Sequence, residues 1–476
     1  MEQLWDSGDV HIFVSQPFKI MNKKILPVVG VAAALVALAL SVAALVIASL
    51  GGNNGRDGED FNLYAVYQEL VTEGEFSGTY AEFIAQYLSP EYTYEEGSEL
   101  GTSVNASLAS VVSIDVECEY TAGGRFPGIG GASTFISYGS GVIYSLDKEA
   151  GDAYIVTNCH VVYMNDTVTE ENVTYTRSGE PSYYAYLYGL EGIYYDQYGE
   201  LQRSTTYRIE CSLVGYVMSQ DVAVLKVEDS DVLKDSLAQA VTVGDSDDLA
   251  VGDEIYLIGN ALGEGISVTT GVVSVEDEII PISDAAGDET LRLHSIRTDS
   301  AASPGNSGGG MFDKSGKLVG ILYAGSSDED AQNINSVLPV NRVAGIADSI
   351  IDAGADSSSA VTAVDKATMG VTVYSAASRQ VYDDENNKFY SVDDVTVESV
   401  SAPASGALQA GDVIRSVTLG EGADAYTLEV RHDWQIGDFL WRVRLGDTLH
   451  VTVERGGETV AVQVLFDDAR YFTATD

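Results

Sequence analysis

The chain has 476 residues, with 72 Asp and Glu against 25 Lys and Arg, for a formal net charge of −47 at neutral pH. Such an acidic balance argues against nucleic acid or an anionic lipid surface as a partner and favours solubility outside a membrane. The length exceeds one typical core and points to roughly three domains. Three cysteines (Cys118, Cys159 and Cys211) fall short of a disulfide framework, and no metal-ligand spacing links them to the five histidines, so neither a metal nor another cofactor is expected.

In chain order, the first feature is an uncharged apolar run over residues 25–50, long enough to cross a bilayer. Lys19, Lys23 and Lys24 precede it, and Asp57, Glu59 and Asp60 follow. The lysine bias places residues 1–24 in the cytoplasm and the remainder outside the cell. The run exceeds the apolar region of a signal peptide, which favours an uncleaved anchor. Met21 before Asn22-Lys23-Lys24 is a natural start, which would make residues 1–20 an extension. Residues 51–100 open with a Gly/Asn/Asp linker. Leu63, Val66, Tyr67, Leu70 and Val71 then recur at helical spacing, and Thr79-Tyr80-Ala81-Glu82 reads as a capping box opening a second helix. This helical hairpin loosely resembles small modules near the anchors of Gram-positive surface proteins, and it suits a spacer between membrane and ectodomain.

Beyond residue 101 the pattern changes to short β-rich runs. Ala153-Tyr154-Ile155-Val156-Thr157, Glu254-Ile255-Tyr256-Leu257-Ile258 and Lys317-Leu318-Val319-Gly320-Ile321-Leu322-Tyr323 are separated by Gly, Asp and Ser clusters, which predicts an all-β barrel or sandwich. Residues 340–351 carry helical spacing and close a domain spanning 101–350.

Three motifs in this span carry chemistry: Thr157-Asn158-Cys159-His160, Gln220-Asp221-Val222-Ala223 and Pro304-Gly305-Asn306-Ser307-Gly308-Gly309-Gly310. A serine hydroxyl becomes an effective nucleophile when a neighbouring base takes its proton. His160 can be that base near neutral pH, and Asp221 behind it would fix the tautomer and stabilise the imidazolium. The order His, Asp, Ser is that of the chymotrypsin-type barrel. Glycines beside Ser307 free backbone N–H groups, so those of Gly305 and Ser307 are the candidate oxyanion hole. Singly, each motif has a plainer reading: a turn, a structural histidine, a strand-entry aspartate. Their order at strand ends within one domain-sized span favours the chemical reading. A phosphate cradle is disfavoured because no lysine and no helix start follow. The plainer reading holds for Cys159, whose thiol should point into the barrel.

Around these motifs the chain resembles the trypsin-like domain of the HtrA/DegP family. The resemblance rests on Gly139-Ser140-Gly141-Val142-Ile143, Ser212-Leu213-Val214-Gly215, Asp221-Val222-Ala223-Val224-Leu225-Lys226, Val243-Gly244-Asp245-Ser246, Val268-Thr269-Thr270-Gly271 and Thr298-Asp299, in register with the serine loop. It implies a mainly β fold with a chymotrypsin-like double β-barrel, the site between the barrels, protein substrates and a possible homotrimer. By that resemblance the floor of the specificity pocket is Ala301, six positions before Ser307, and Leu322 is a wall. An uncharged pocket implies cleavage after Val, Ala or Leu. Residues 163–207 depart from the family in length and in tyrosine content. They read either as a hairpin whose tyrosines pack on one another or as an insertion that contacts substrate or a neighbouring subunit. Cys118 and Cys211 could pair, which geometry alone decides.

After a polar linker at 352–359, residues 362–470 resemble a PDZ domain, notably at Gly406-Ala407-Leu408-Gln409-Ala410-Gly411-Asp412-Val413-Ile414 and Arg444-Leu445-Gly446-Asp447-Thr448-Leu449. The resemblance implies a carboxylate loop at Met369-Gly370-Val371, with Met369 and Val371 flanking a pocket for C-terminal peptides. The expected protein is therefore a membrane-anchored serine endopeptidase acting outside the cytoplasm. The alternatives are a catalytically silent peptide-binding scaffold and an enzyme with one dedicated substrate.

Overall fold

A computed structural model describes residues 71–72, 77, 99–122, 132–170, 173–197, 201–287, 290–325, 334–355, 357–384, 387–422 and 425–476. The apolar run at 25–50 and nearly all of the expected helical hairpin lie outside these residues. No helix among the described residues is long and apolar enough to cross a membrane. The chain divides into two compact units, 1–75 and 76–476. In the first, Val71 and Thr72 are helical. Every strand among the described residues belongs to the second.

Helix α1 (Glu99–Leu108) leads into the strands β1 (Val111–Ala122), β2 (Ala132–Asp147) and β3 (Asp152–Thr157). The four-residue helix α2 (Cys159–Val162) follows, then β4 (Thr167–Glu170), β5 (Val173–Arg177), β6 (Ser182–Leu187), β7 (Ile193–Tyr195), β8 (Leu201–Arg203), β9 (Ile209–Val217) and β10 (Val222–Val227). The order β2-β3-β10-β9-β6-β1, closed by β1 on β2, makes a six-stranded barrel. β4 and β5 extend it beside β1, while β7 and β8 pair only with each other.

The second barrel uses β12 (Glu254–Asn260), β13 (Ile266–Ser283), β14 (Thr290–Thr298), β15 (Gly310–Asp313), β16 (Lys317–Gly325) and β17 (Asn335–Pro339). It runs β16-β15-β12-β13-β14-β17 and closes through β16 on β17, with the short β11 (Thr242–Val243) added parallel to β16. Strand alternation explains why both barrels pack. On β10, Ala223, Leu225 and Val227 fill the first barrel, while Val222 and Val224 enter a second cluster shared with the other barrel. On β12, Ile255 and Leu257 point inward, and Tyr256 and Ile258 join the shared cluster. Each such aliphatic side chain contributes about 1.5–3 kcal/mol on burial, so this shared layer fixes one barrel against the other.

Helix α3 (Val340–Gly354) closes the shared layer with Val340, Val343, Ile346, Ala347 and Ile350, spaced as one helix face. Beyond it lie β18 (Val364–Ala367), β19 (Val371–Asp383), β20 (Lys388–Val400), β21 (Val413–Leu419), β22 (Tyr426–Glu429), helix α4 (Asp433–Phe439), β23 (Thr448–Arg455), β24 (Glu458–Leu465) and β25 (Phe472–Thr475). A sheet in the order β19-β20-β21-β23-β24, with β22 on β21, surrounds its own apolar core. Arg342 of α3 ties this sheet to the barrels. Its Nε and Nη2 donate to the Asp438 carboxylate at 2.7 and 3.1 Å, and Nη1 donates to the His294 carbonyl at 2.9 Å.

Two features differ from the sequence reading. The tyrosine-rich stretch is not one hairpin: β6 is a barrel strand, its Tyr186 is buried, and Tyr184 lies under the Arg208 guanidinium at 3.8 Å. Arginine faces, as well as neighbouring rings, therefore hold the tyrosines. All three cysteines are free thiols.

Candidate active site

Pairing of β10 with β3 sets Ala223 opposite Thr157, so the ends of these strands meet although the residues are far apart in sequence. After Thr157 the chain enters α2, which carries His160. Before Val222 a tight 3-10 turn (Met218–Gln220) leaves Asp221 in left-handed backbone at φ 53°, a conformation that costs free energy and is held only by its surroundings. Here Asn158 supplies the hold, its Nδ2 donating to the Asp221 carbonyl at 3.0 Å. Asp221 Oδ1 accepts the backbone N–H of His160 at 2.9 Å, and Oδ2 lies 2.8 Å from His160 Nδ1. The carboxylate thus fixes both the backbone and the ring, and leaves Nε2 as the free ring nitrogen. The Asp221 side chain is 4% exposed and that of His160 34%. Burial, the largest single influence, pulls the imidazole pKa down, but the charge of Asp221 and its hydrogen bond together hold it above the ordinary value.

Ser307 sits in the loop before β15, and Ser140 of β2 clamps that loop from the first barrel. The Ser140 N–H donates to the Ser307 carbonyl at 2.8 Å, and its Oγ donates to the Gly305 carbonyl at 2.7 Å. Gly308 has φ 83°, and a Cβ there would overlap the Ser140 carbonyl oxygen, so only glycine allows the barrels to approach this closely. Asn306, Gly308 and Gly309 all donate their N–H groups within the fold. Among the described residues the N–H groups of Gly305 and Ser307 have no such acceptor, which leaves two donors beside one hydroxyl.

Ser307 Oγ is not hydrogen-bonded to His160. It donates to the Tyr323 carbonyl at 3.0 Å, and the Tyr323 ring meets the His160 ring edge-on with centroids 5.5 Å apart. Tyr323 therefore touches both residues. The hydroxyl satisfies itself on the nearest carbonyl, and a change of χ1 alone moves it between staggered positions. Cys159 beside His160 is fully buried, and burial pushes its thiol pKa far up, so it is no rival nucleophile.

Ala301 is exposed below the serine loop, its carbonyl accepting from Thr269 Oγ1 at 2.7 Å. Leu322 requires a correction: it is 2% exposed and packs inside the second barrel with Leu257, Val273 and Met311, with Ala302 against that cluster. A bulge shifts the β15–β16 register between Met311 and Phe312, and a one-residue shift turns subsequent side chains to the opposite face. Met369 is likewise corrected as a pocket flank, because its side chain lies in the core of the C-terminal sheet at 2% exposure. Gly370, at φ 74°, passes against the Ala402 carbonyl, and its own carbonyl accepts from the Ser401 N–H at 2.6 Å. Because the 370–371 peptide is trans, the N–H of Val371 points away from Ser401. Val371 itself is half-buried.

Asn158, Ser140 and Tyr323 carry no assigned role in the sequence reading. Asn158 adjoins His160 and Ser140 lies in the Gly139–Ile143 motif, but only the tertiary contacts reveal what they do.

The trypsin-like peptidase domain family matches residues 139–321. The serine protease Do-like HtrA of Bacillus subtilis (strain 168) is 26% identical over 383 residues, covering 78% of this chain and 72% of that protein. Its namesake from Lactococcus lactis subsp. cremoris (strain MG1363) is 27% identical over 340 residues, covering 69% and 70%. Among solved structures, the HtrA-type protease AlgW with a decapeptide is 22% identical, covers 79% of this chain and 99% of its own, and gives a TM-score of 0.41. This chain is a serine-type endopeptidase with a trypsin-like domain similar to those of HtrA proteases.

Proposed function

We propose that this chain is a membrane-anchored endopeptidase that cleaves misfolded or regulatory proteins outside the cytoplasm, with Ser307 as nucleophile, His160 as general base and Asp221 as its orienting partner. The observation that carries this reading is the double hold of Asp221 on His160, through backbone N–H and Nδ1. With Nδ1–H given to the carboxylate, Nε2 is the acceptor available to Ser307 Oγ. Attack of Oγ on a peptide carbonyl places the developing negative charge on the carbonyl oxygen. The N–H groups of Gly305 and Ser307 are the donors for that oxygen, in a site where preorganised dipoles are worth more than in water. His160 then passes the proton to the departing amine, and water repeats the sequence on the acyl-enzyme.

The uncharged run at 25–50, with lysines before it and acidic residues after it, supports the anchor and the outward orientation. Residues 362–470 form the proposed PDZ unit, in which α4 lies along β19 and the N–H groups from Met369 to Val371 would receive a peptide carboxylate. Assembly into a homotrimer is proposed from the resemblance alone. A fluorophosphonate probe applied to the full-length chain in detergent is the direct test. Labelling that disappears in Ser307→Ala is expected, and a folded parent that stays unlabelled would leave the silent scaffold as the better reading. Digestion of casein would then separate a broad degrader from an enzyme with one dedicated substrate.

Two further outcomes are expected. Ala301 offers no charge to a basic side chain, which would be desolvated there without a partner. Cleavage should therefore follow Val, Ala or Leu, with soft preferences of about 1–3 kcal/mol among them. Mapping of cuts in a denatured protein by mass spectrometry checks this, and a majority after Arg or Lys would refute it. For the C-terminal unit, calorimetry should find tighter binding of peptides with a free carboxylate and an apolar last residue than of their amides. Equal affinity would remove the carboxylate-loop assignment.

A further inference from the structure

One buried cation stands against the turn that abuts the serine loop and takes no part in the acyl-transfer chemistry. Arg203 ends β8, in the small hairpin that belongs to neither barrel sheet, yet its side chain is only 7% exposed. The guanidinium lies against the rings of Tyr138 and Tyr186, 5.6 and 5.1 Å from their centroids. Nη2 donates to Asn260 Oδ1 at 3.2 Å and to the Gly263 carbonyl at 2.9 Å. Nη1 comes within 3.0 Å of Asp115 Oδ1, but off the hydrogen-bonding direction, so neither atom has an aligned partner, and Nε has none.

Stability is a poor explanation for this arrangement. A buried ion pair gains little over its desolvation cost unless its geometry is good. Burial pushes the Asp115 carboxyl up to about 6 even though the Arg203 charge opposes the shift, so desolvation outweighs attraction here. What the guanidinium does well is present a rigid fork of donors to two acceptors at once.

Those acceptors bracket a single turn, Ala261–Gly263, in which Leu262 has φ 58° and is 57% exposed. An exposed leucine in left-handed backbone is strained, and the conformation persists only where neighbours impose it. The Leu262 N–H donates to the Pro304 carbonyl at 2.7 Å, immediately before Gly305. A Cβ on Gly305 would overlap the Asn260 carbonyl and press on the nitrogens of Leu262 and Gly263. The turn is thus the wall against which Gly305 lies. Asn260 is fixed in turn, its Nδ2 donating to the Gly139 carbonyl at 3.2 Å and its Oδ1 accepting the Gly265 N–H at 2.9 Å.

We propose that Arg203 is a positioning residue for the oxyanion hole: through Asn260 and Gly263 it holds the Ala261–Gly263 turn, and with it the direction of the Gly305 N–H. The β7–β8 insertion thereby serves the acyl-transfer step without touching substrate. This inference rests on the reading of Gly305 and Ser307 as the donors to the oxyanion.

The test compares the full-length parent with Arg203→Lys and with the double variant Asp115→Asn/Arg203→Met, which removes both charges of the Asp115–Arg203 pair together. Lysine keeps a positive charge beside Asp115 but lacks the planar fork. In both variants kcat on a peptide substrate, and the second-order rate of fluorophosphonate labelling, should fall about tenfold or more, since a single misaimed donor can cost up to about 10²–10³. KM and melting temperature should stay near the parental values. If the double variant does not fold, the lysine variant decides alone. A folded variant with parental kcat and labelling rate overturns the proposal, as does a loss confined to KM, which would make Arg203 a determinant of substrate binding. A folded parent that never labels would instead fail at Ser307 and carry this inference down with the reading beneath it.

Discussion

Replacing Ser307 by alanine should abolish peptide hydrolysis while leaving the fold in place. Loss of the nucleophile in a serine site of this kind costs on the order of 10⁶ in turnover, and neither the thiol beside His160 nor the phenol against its ring can take its place. Cys159 is buried with its thiol held protonated, and the Tyr323 hydroxyl, next to His160, is pushed further from ionisation by burial and by the charge of Asp221. The structural cost should be small. Ser307 Oγ makes one neutral hydrogen bond, to the Tyr323 carbonyl, of a kind worth about 0.5–1.5 kcal/mol net. The backbone clamps from Ser140 to Ser307 and Gly305 do not involve the lost hydroxyl on Ser307. The expected result is a parental melting curve with no fluorophosphonate labelling and no cleavage. Turnover at the parental rate would place the nucleophile elsewhere.

The parts of this site that can be read from the sequence are those whose chemistry demands a particular side chain at a strand end. His160, Asp221 and Ser307 belong to this class, because a base, its orienting carboxylate and a nucleophile beside glycine admit few substitutes. The β character is legible locally in short apolar runs. A double barrel rather than a sandwich is implied only by the resemblance, because β10 and β12 are apolar on both faces and only their packing sorts the side chains between clusters. Register irregularity is not legible either. Leu322 is a wall only by resemblance, and its place inside the second barrel follows from strand pairing past a bulge between β15 and β16, of which the sequence carries no sign beyond Gly320. Met369 escapes for want of the same tertiary information, since a residue next to a turn glycine can point inward or outward. The tyrosines of residues 183–195 are visible as a cluster, but the sequence does not show that Tyr184 and Tyr186 are held under Arg208 and Arg203 from further along the chain. Arg203 is the extreme case. One arginine in a polar stretch carries no local sign that it will be buried against the Ala261–Gly263 turn.

Asp221→Asn should lower kcat by about 10⁴ and also move the pH dependence of what remains. The loss follows from geometry: an amide can present its NH₂ to Nδ1, which favours the tautomer that carries the proton on Nε2, where Ser307 needs an acceptor. The shift in pH follows from charge. In the parent the imidazole pKa is raised, because the Asp221 charge and hydrogen bond together exceed the opposing effect of burial. The base must be neutral to act, so parental activity should be lost as pH falls through a value above the ordinary histidine pKa of about 6.5. In the variant both raising influences vanish and burial remains, so the acid limb of kcat/KM should move below that value. Stability should respond with the opposite sense of pH. A group whose pKa is raised on folding contributes stability that is fully present below its unfolded pKa and is lost as pH rises through the folded one. The parent should therefore gain more than Asp221→Asn from a drop in pH across this window, while its activity falls. Profiles of kcat/KM from pH 5 to pH 9, paired with melting temperatures at the same pH values, measure both trends. An acid limb that stays in place in the variant would mean that His160 does not titrate against Asp221, and that a different group sets the activity.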